Sequence, residues 1–143
     1  MIGLLMSILA GICMSIQGVF NTRVSEKIGL WETNVIVHAT GLVLTLIILF
    51  FAGSGNFKNL KQTNKLYLLG GVIGALIIFF VMEGIEHLGP TYSISTILIA
   101  QLAAAGIIDA FGLFGSDQIK FTLTKYIGIA IMIIGIVVFK WKG

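Results

Sequence analysis

The chain has 143 residues, 57% of them hydrophobic and only 10% charged, with a mean hydropathy of +1.06 and a formal net charge of +3. A soluble domain carries about a quarter charged residues, so this composition excludes a water-covered globule and makes lipid the solvent for most of the surface. The small positive excess lies between apolar runs, where it reads as a topology signal rather than a nucleic-acid footprint.

Crossing the hydrocarbon takes about 20 mostly apolar residues. The first such run is Ile2 to Phe20, followed by the polar stretch Asn21 to Lys27. The second extends from about Thr33 to Ala52 and stops at Gly53-Ser54-Gly55-Asn56; Lys58, Lys61 and Lys65 mark the polar loop beyond it. The third goes from Leu66 to about Ile85, and Glu86-His87-Leu88-Gly89-Pro90 makes a short turn. Pro90 suits the first turn of a new helix, where its missing N–H is harmless. That helix continues to about Leu113, Gly115-Ser116-Asp117-Gln118 breaks it, and the last run is roughly Phe121 to Phe139. Lys125 is placed to snorkel to the interface. Unbroken apolar runs of this kind exclude a membrane β-barrel, whose strands alternate. The pattern therefore predicts an all-α integral membrane protein: a single five-helix domain over 1–143, with spans near 2–22, 33–53, 66–86, 91–113 and 122–141.

All Trp and Tyr residues agree with this division. Trp31, Tyr67, Tyr92 and Tyr126 fall near the starts of spans two to five and Trp141 closes the last, the interfacial positions that amphipathic rings favour. Small residues recur every fourth position: Ser7, Gly11 and Ser15; Gly70 and Gly74; Gly71 and Ala75; Ala100 and Ala104. Lipid offers no hydrophobic drive for helix pairing, so such stripes predict close packing seams. The single cysteine, Cys13, lies inside the first run. That run lacks a basic start and a clear small-x-small cleavage site, so a retained helix is expected rather than a removed signal.

With five spans the termini lie on opposite sides. The side of the N-terminus, side A, carries Lys58, Lys61, Lys65, Lys120 and Lys125, and side B carries Arg23, Lys27, Lys140 and Lys142. Five against four is nearly a tie under the positive-inside rule, and two readings are open. Either Met1 is cytoplasmic, or the chain inserts both ways and pairs as an antiparallel homodimer. Polar groups inside apolar runs are costly and need a reason; here they are Gln17, His38, Glu83, Gln101 and Asp109, with Asn21 at the end of span one. Gln101 lies close to mid-span. Gln17, Asn21, His38 and Glu83 fall toward side B, and Asp109 alone toward side A. Each could equally serve only to tie helices together.

Nothing suggests an enzyme. His38 and His87 have no cysteine partners and no metal spacing, there is no Gly-x-Ser-x-Gly elbow, and no loop is long enough for a catalytic domain. No cofactor, metal or nucleic-acid partner is expected.

Three stretches carry a family resemblance: Gln17-Gly18-Val19-Phe20-Asn21, Gly70-Gly71-Val72-Ile73-Gly74-Ala75, and His87-Leu88-Gly89-Pro90 running through Gln101 to Ile108-Asp109-Ala110-Phe111-Gly112-Leu113. With length and span count, they make the chain resemble the YdcZ-like branch of the drug/metabolite transporter superfamily. Ala100 and His38 depart from its pattern, which has glycine and more often an aromatic residue there. The resemblance implies half of a ten-helix transporter, completed by a second chain, in the inner or plasma membrane. The function expected is a small-molecule secondary transporter, an exporter working as an antiparallel, dual-topology homodimer by alternating access. Gln17, Asn21, Glu83, Gln101 and Asp109 would line the path of a small polar or cationic solute, His38 is a further candidate, and Gly11, Gly70, Gly71 and Gly74 would pack helices. The alternative is a non-transporting scaffold or accessory subunit; a passive channel is a weaker third reading.

Overall fold

The computed structural model describes residues 1–120 and 122–141. The expected start of the last run at Phe121 and the side-B charge Lys142 lie outside them. The described residues form helices and turns with no strand: α1 (Ile2–Ile28), α2 (Leu30–Ala52), α3 (Gly70–Leu88), α4 (Pro90–Phe111) and α5 (Leu123–Lys140). Short 3₁₀ turns at Phe57–Gln62 and Lys65–Leu69 precede α3, and another at Leu113–Gly115 follows α4. Five segments are long and apolar enough to cross a bilayer, as expected, the third being Lys65–Leu88 with its leading turn.

One boundary differs from the hydropathy reading. The polar stretch Asn21 to Lys27 is not a loop, because α1 continues through it to Ile28. At 27 residues the helix is about 40 Å long against a hydrocarbon core of about 30 Å, so its last turns leave the apolar zone without unwinding. The polar residues there are used by the helix itself. The Thr22 hydroxyl donates to the Gly18 carbonyl (2.9 Å), the Ser25 hydroxyl to Thr22 (2.8 Å), and Arg23 pairs with Glu26 at 2.9 Å. Hydropathy detects where a span ends; only a backbone breaker ends the helix.

That breaker is Gly29, with φ 100°, and Gly89 repeats the device with φ 77° between α3 and α4. Positive φ is open to glycine at little cost. Both corners take a single residue, and each glycine carbonyl accepts the amide of the fourth residue on, Thr33 and Ser93. A Cβ at Gly29 would also overlap the Glu32 carboxylate.

The chain forms two compact units, Met1–His87 and Leu88–Gly143. In the first, α1 and α2 run side by side back from the Gly29 corner. Gly18, Asn21, Thr22 and Ser25 form the buried stripe of α1, Thr33 and Asn34 are buried on α2, and Met82 and Ile85 on α3. Outer faces are Leu, Ile, Val and Phe. Polarity is thus reversed relative to a soluble protein, as it must be where lipid is the solvent. In the second unit α4 and α5 pack on each other, and the Lys140 ammonium lies 4.3 Å from the Tyr92 ring centre. That contact joins the start of α4 to the end of α5, so the pair is antiparallel.

The small-residue stripes behave unequally. A Cβ added at Gly11, Gly70 or Gly71 would meet nothing within 4 Å, and at Gly74 it would reach only His38 at 3.8 Å. The close approach is instead at Gly18, where a Cβ would lie 2.8 Å from Ile85 Cδ1 and 3.1 Å from Val81 Cγ1. Gly18→Leu is therefore expected to lower stability in detergent by about 1–3 kcal/mol through overpacking, with Gly11→Leu unchanged. Unfolding titrations followed by circular dichroism check this, and equal effects at the two sites would refute the α1–α3 contact.

Candidate functional site

The first unit concentrates its interhelical polar contacts on one face of α2. Trp31, Asn34 and His38 stand at i, i+3 and i+7, so they share the face that meets α3. Trp31 stacks on Phe79 with ring centres 4.9 Å apart and planes 13° from parallel. One turn on, the Asn34 side-chain amide donates to the Ala75 carbonyl at 2.8 Å. A further turn on, His38 Nδ1 lies 2.9 Å from the Asn34 carbonyl, and its Nε2 points at Gly74. The contacts converge near the middle of the third span, Lys65–Leu88. A hydrogen bond at that depth has no water to compete with it, and glycine and alanine let the polar side chains reach the α3 backbone.

The other candidates of this unit are dispersed. Gln17 is exposed on α1, whereas Asn21, one turn later, is buried. Glu83 is half-buried and sits 3.3 Å from His87 Nε2, its neighbour one turn along α3. No hydrogen bond joins Gln17, Asn21 and Glu83 among the described residues.

In the second unit Asp109 is half-buried in a groove of about 500 Å3 between α4 and α5, lined also by Leu102, Gly106, Lys125, Gly128 and Met132. The groove is otherwise apolar, so one acidic and one basic side chain supply its polarity. The backbone beyond Asp109 folds back over the end of α4: Ile119 N donates to the Asp109 carbonyl at 2.8 Å and the Gln118 side-chain amide to the Ala110 carbonyl at 2.9 Å. These bonds satisfy carbonyls that a helix C-terminus would otherwise leave orphaned, and they hold the residue carrying the carboxylate. Gln101 is exposed, two turns earlier on α4, and does not line this groove. Among the described residues no group of three His, Cys, Asp or Glu side chains could hold a metal.

Five helices of spanning length, with polar groups held inside them, describe a multi-pass membrane protein and narrow its kin. The family described as "Putative inner membrane exporter, YdcZ" matches residues 2–138. The chain belongs to that family. Membership in YdcZ places it in the inner membrane and among transporters rather than enzymes. No curated protein and no solved structure matches the chain.

Asn34 was not among the residues singled out by sequence, nor were Thr22, Ser25 and Thr33. A signal for Asn34 exists in its i, i+3, i+7 spacing with Trp31 and His38; Thr22 and Ser25 lay in the polar stretch that follows the first apolar run. Replacing Asn34 by Leu is expected to cost about 0.5–2 kcal/mol, the range for interhelical hydrogen bonds in membranes. Gln17→Leu is expected to change nothing measurable. Denaturation in mixed micelles distinguishes the two, and an inert Asn34→Leu would refute a holding role for the Asn34–Ala75 bond.

Proposed function

We propose that the protein is a small-molecule secondary transporter working as an antiparallel, dual-topology homodimer, each chain supplying five of ten helices. The observation that carries this reading is the combination of an odd number of spans with positive charges split five to four between the two sides. Five spans put the two termini of one copy on opposite faces, and an inverted copy exchanges them. A near-tie in charge removes the bias that would select one of them. Two inverted copies create the repeat symmetry that alternating access uses, with a site near the midplane.

Inversion also gives the dispersed polar residues a common level. Within one chain Asp109 falls toward one side and Gln17, Asn21 and Glu83 toward the other; in an inverted partner the levels exchange. A carboxylate of one protomer would then stand at the depth of the amides and Glu83 of the other, twice by symmetry. Amide side chains orient a small polar solute, and a carboxylate in low dielectric holds a cation or exchanges a proton. Gln101, close to mid-span, would complete the lining. The half-buried Asp109 in its groove supports this role for α4.

Two measurements test the proposal. In a Cys13→Ser background, Ser54→Cys should be labelled from outside intact cells by an impermeant maleimide in roughly half of the copies, and Glu86→Lys with His87→Lys should drive that population to one orientation. Labelling of the otherwise unmodified chain from one face only would end the dual-topology reading. For the site, Asp109→Asn should assemble normally yet abolish proton-coupled flux of small organic cations in proteoliposomes, and unchanged flux would reduce Asp109 to a packing residue.

A further inference from the structure

His38 stands on the α2–α3 seam, and the transport proposal gives it no settled task. It lies three residues from the middle of α2, which is about 4.5 Å along the axis. Its Nδ1 is 2.9 Å from the Asn34 main-chain oxygen. A carbonyl only accepts, so Nδ1 carries the hydrogen. The neutral ring is thereby held in the tautomer whose Nε2 is a bare acceptor, and this nitrogen faces α3 at Gly74. Asn34 is held at both ends, its carbonyl accepting from His38 and its side-chain amide donating to Ala75. The imidazole, the amide and the Trp31–Phe79 stack are successive turns of one seam.

Protonation changes what this seam contains. Nε2 gains an N–H and a charge directed at α3, where the nearby Ala75 carbonyl already takes the Asn34 amide besides its own helical bond. Among the described residues no carboxylate pairs with His38. On α3 and its leading turn the nearest ionisable groups are Tyr67 and Lys65, seven and nine residues before Gly74, and Glu83, nine after it and paired with His87. On α1 they are Arg23, Glu26 and Lys27, in its last two turns, and on α2 Glu32, six residues away. The imidazolium must therefore compete with Asn34 for the α3 backbone or swing clear of it. His38 is exposed at the flank of the seam rather than sealed within it.

We propose that His38 is a pH-operated latch: neutral, it leaves the Ala75 carbonyl to the Asn34 amide, and protonated, its charged Nε2–H competes for the α3 backbone and releases the seam. The latch is a property of the three-helix unit and does not depend on the identity of any transported solute.

The seam contains its own reporter. With Trp141→Phe leaving Trp31 as the single tryptophan, the purified full chain in nanodiscs is titrated from pH 8 to pH 5 while Trp31 emission and helicity are recorded. The expected result is one transition to the red as Trp31 leaves Phe79, with helicity unchanged. His38→Gln should remove that transition, His87→Gln and Glu83→Gln should keep it, and Asn34→Leu should show the acid-form emission already at pH 8. A flat response in the parent chain, a blue shift, a transition that survives His38→Gln, or one lost in His87→Gln would each overturn the latch. Should Asn34→Leu fail to fold, the His38→Gln and His87→Gln pair still decides. Flux measurements play no part, so a failed transport proposal leaves this test intact.

Discussion

In the hydrocarbon core no water is present to satisfy a backbone amide or a polar side chain, and the rest of this molecule follows from that constraint. Every spanning segment is helical because a helix pairs its own backbone. The reversal from α1 to α2 is placed at a single glycine. The serine and threonine hydroxyls of α1 donate back to the preceding turn. Where a polar side chain reaches across helices it does so at a backbone carbonyl flanked by small residues, as Asn34 does at Ala75. Large apolar side chains, which would form the core of a soluble protein, are left to face lipid.

This arrangement separates two kinds of polar group. Asn34, Thr22 and Ser25 have partners within the chain, Asn34 on another helix and the two hydroxyls on their own. Gln17 and Gln101 are exposed at positions where lipid would leave an amide unsatisfied. Groups of the second kind gain partners only from water in a cavity, from a solute or from another copy of the chain. That is the physical basis for reading a transporter in a protein with almost nothing outside the membrane. The YdcZ match agrees with the class of activity, and the residues that would carry it are a proposal resting on depth and chemistry.

The two units differ in how they could respond to a solute or a proton. The first is tied by an interhelical hydrogen bond, an aromatic stack and the Gly18 approach, contacts that either form or break. The second has an open groove between α4 and α5 with Asp109 and Lys125 on its walls. Its loop end is fastened to the last carbonyls of α4 by Ile119 and Gln118. Contacts that break discretely suit a switch, and a groove with a held carboxylate suits binding.

Span number, span order and membrane residence were all legible in the sequence, because a 20-residue apolar run and interfacial Trp and Tyr are one-dimensional signals imposed by the thickness of the bilayer. The Gly89-Pro90 corner was legible for the same reason, its chemistry being local. The end of α1 was not, since hydropathy falls at Asn21 while the backbone stays helical to Gly29. Nor was the close approach at Gly18, because the four-residue stripe of α1 singles out Gly11 and only the positions of Ile85 and Val81 reveal Gly18. The tie from Asn34 to Ala75 crosses 41 residues, and no periodicity within one helix specifies which carbonyl of another it will meet. Local chemistry and bilayer thickness set the elements; which polar group is satisfied within the chain and which is left open was decided only when the helices packed.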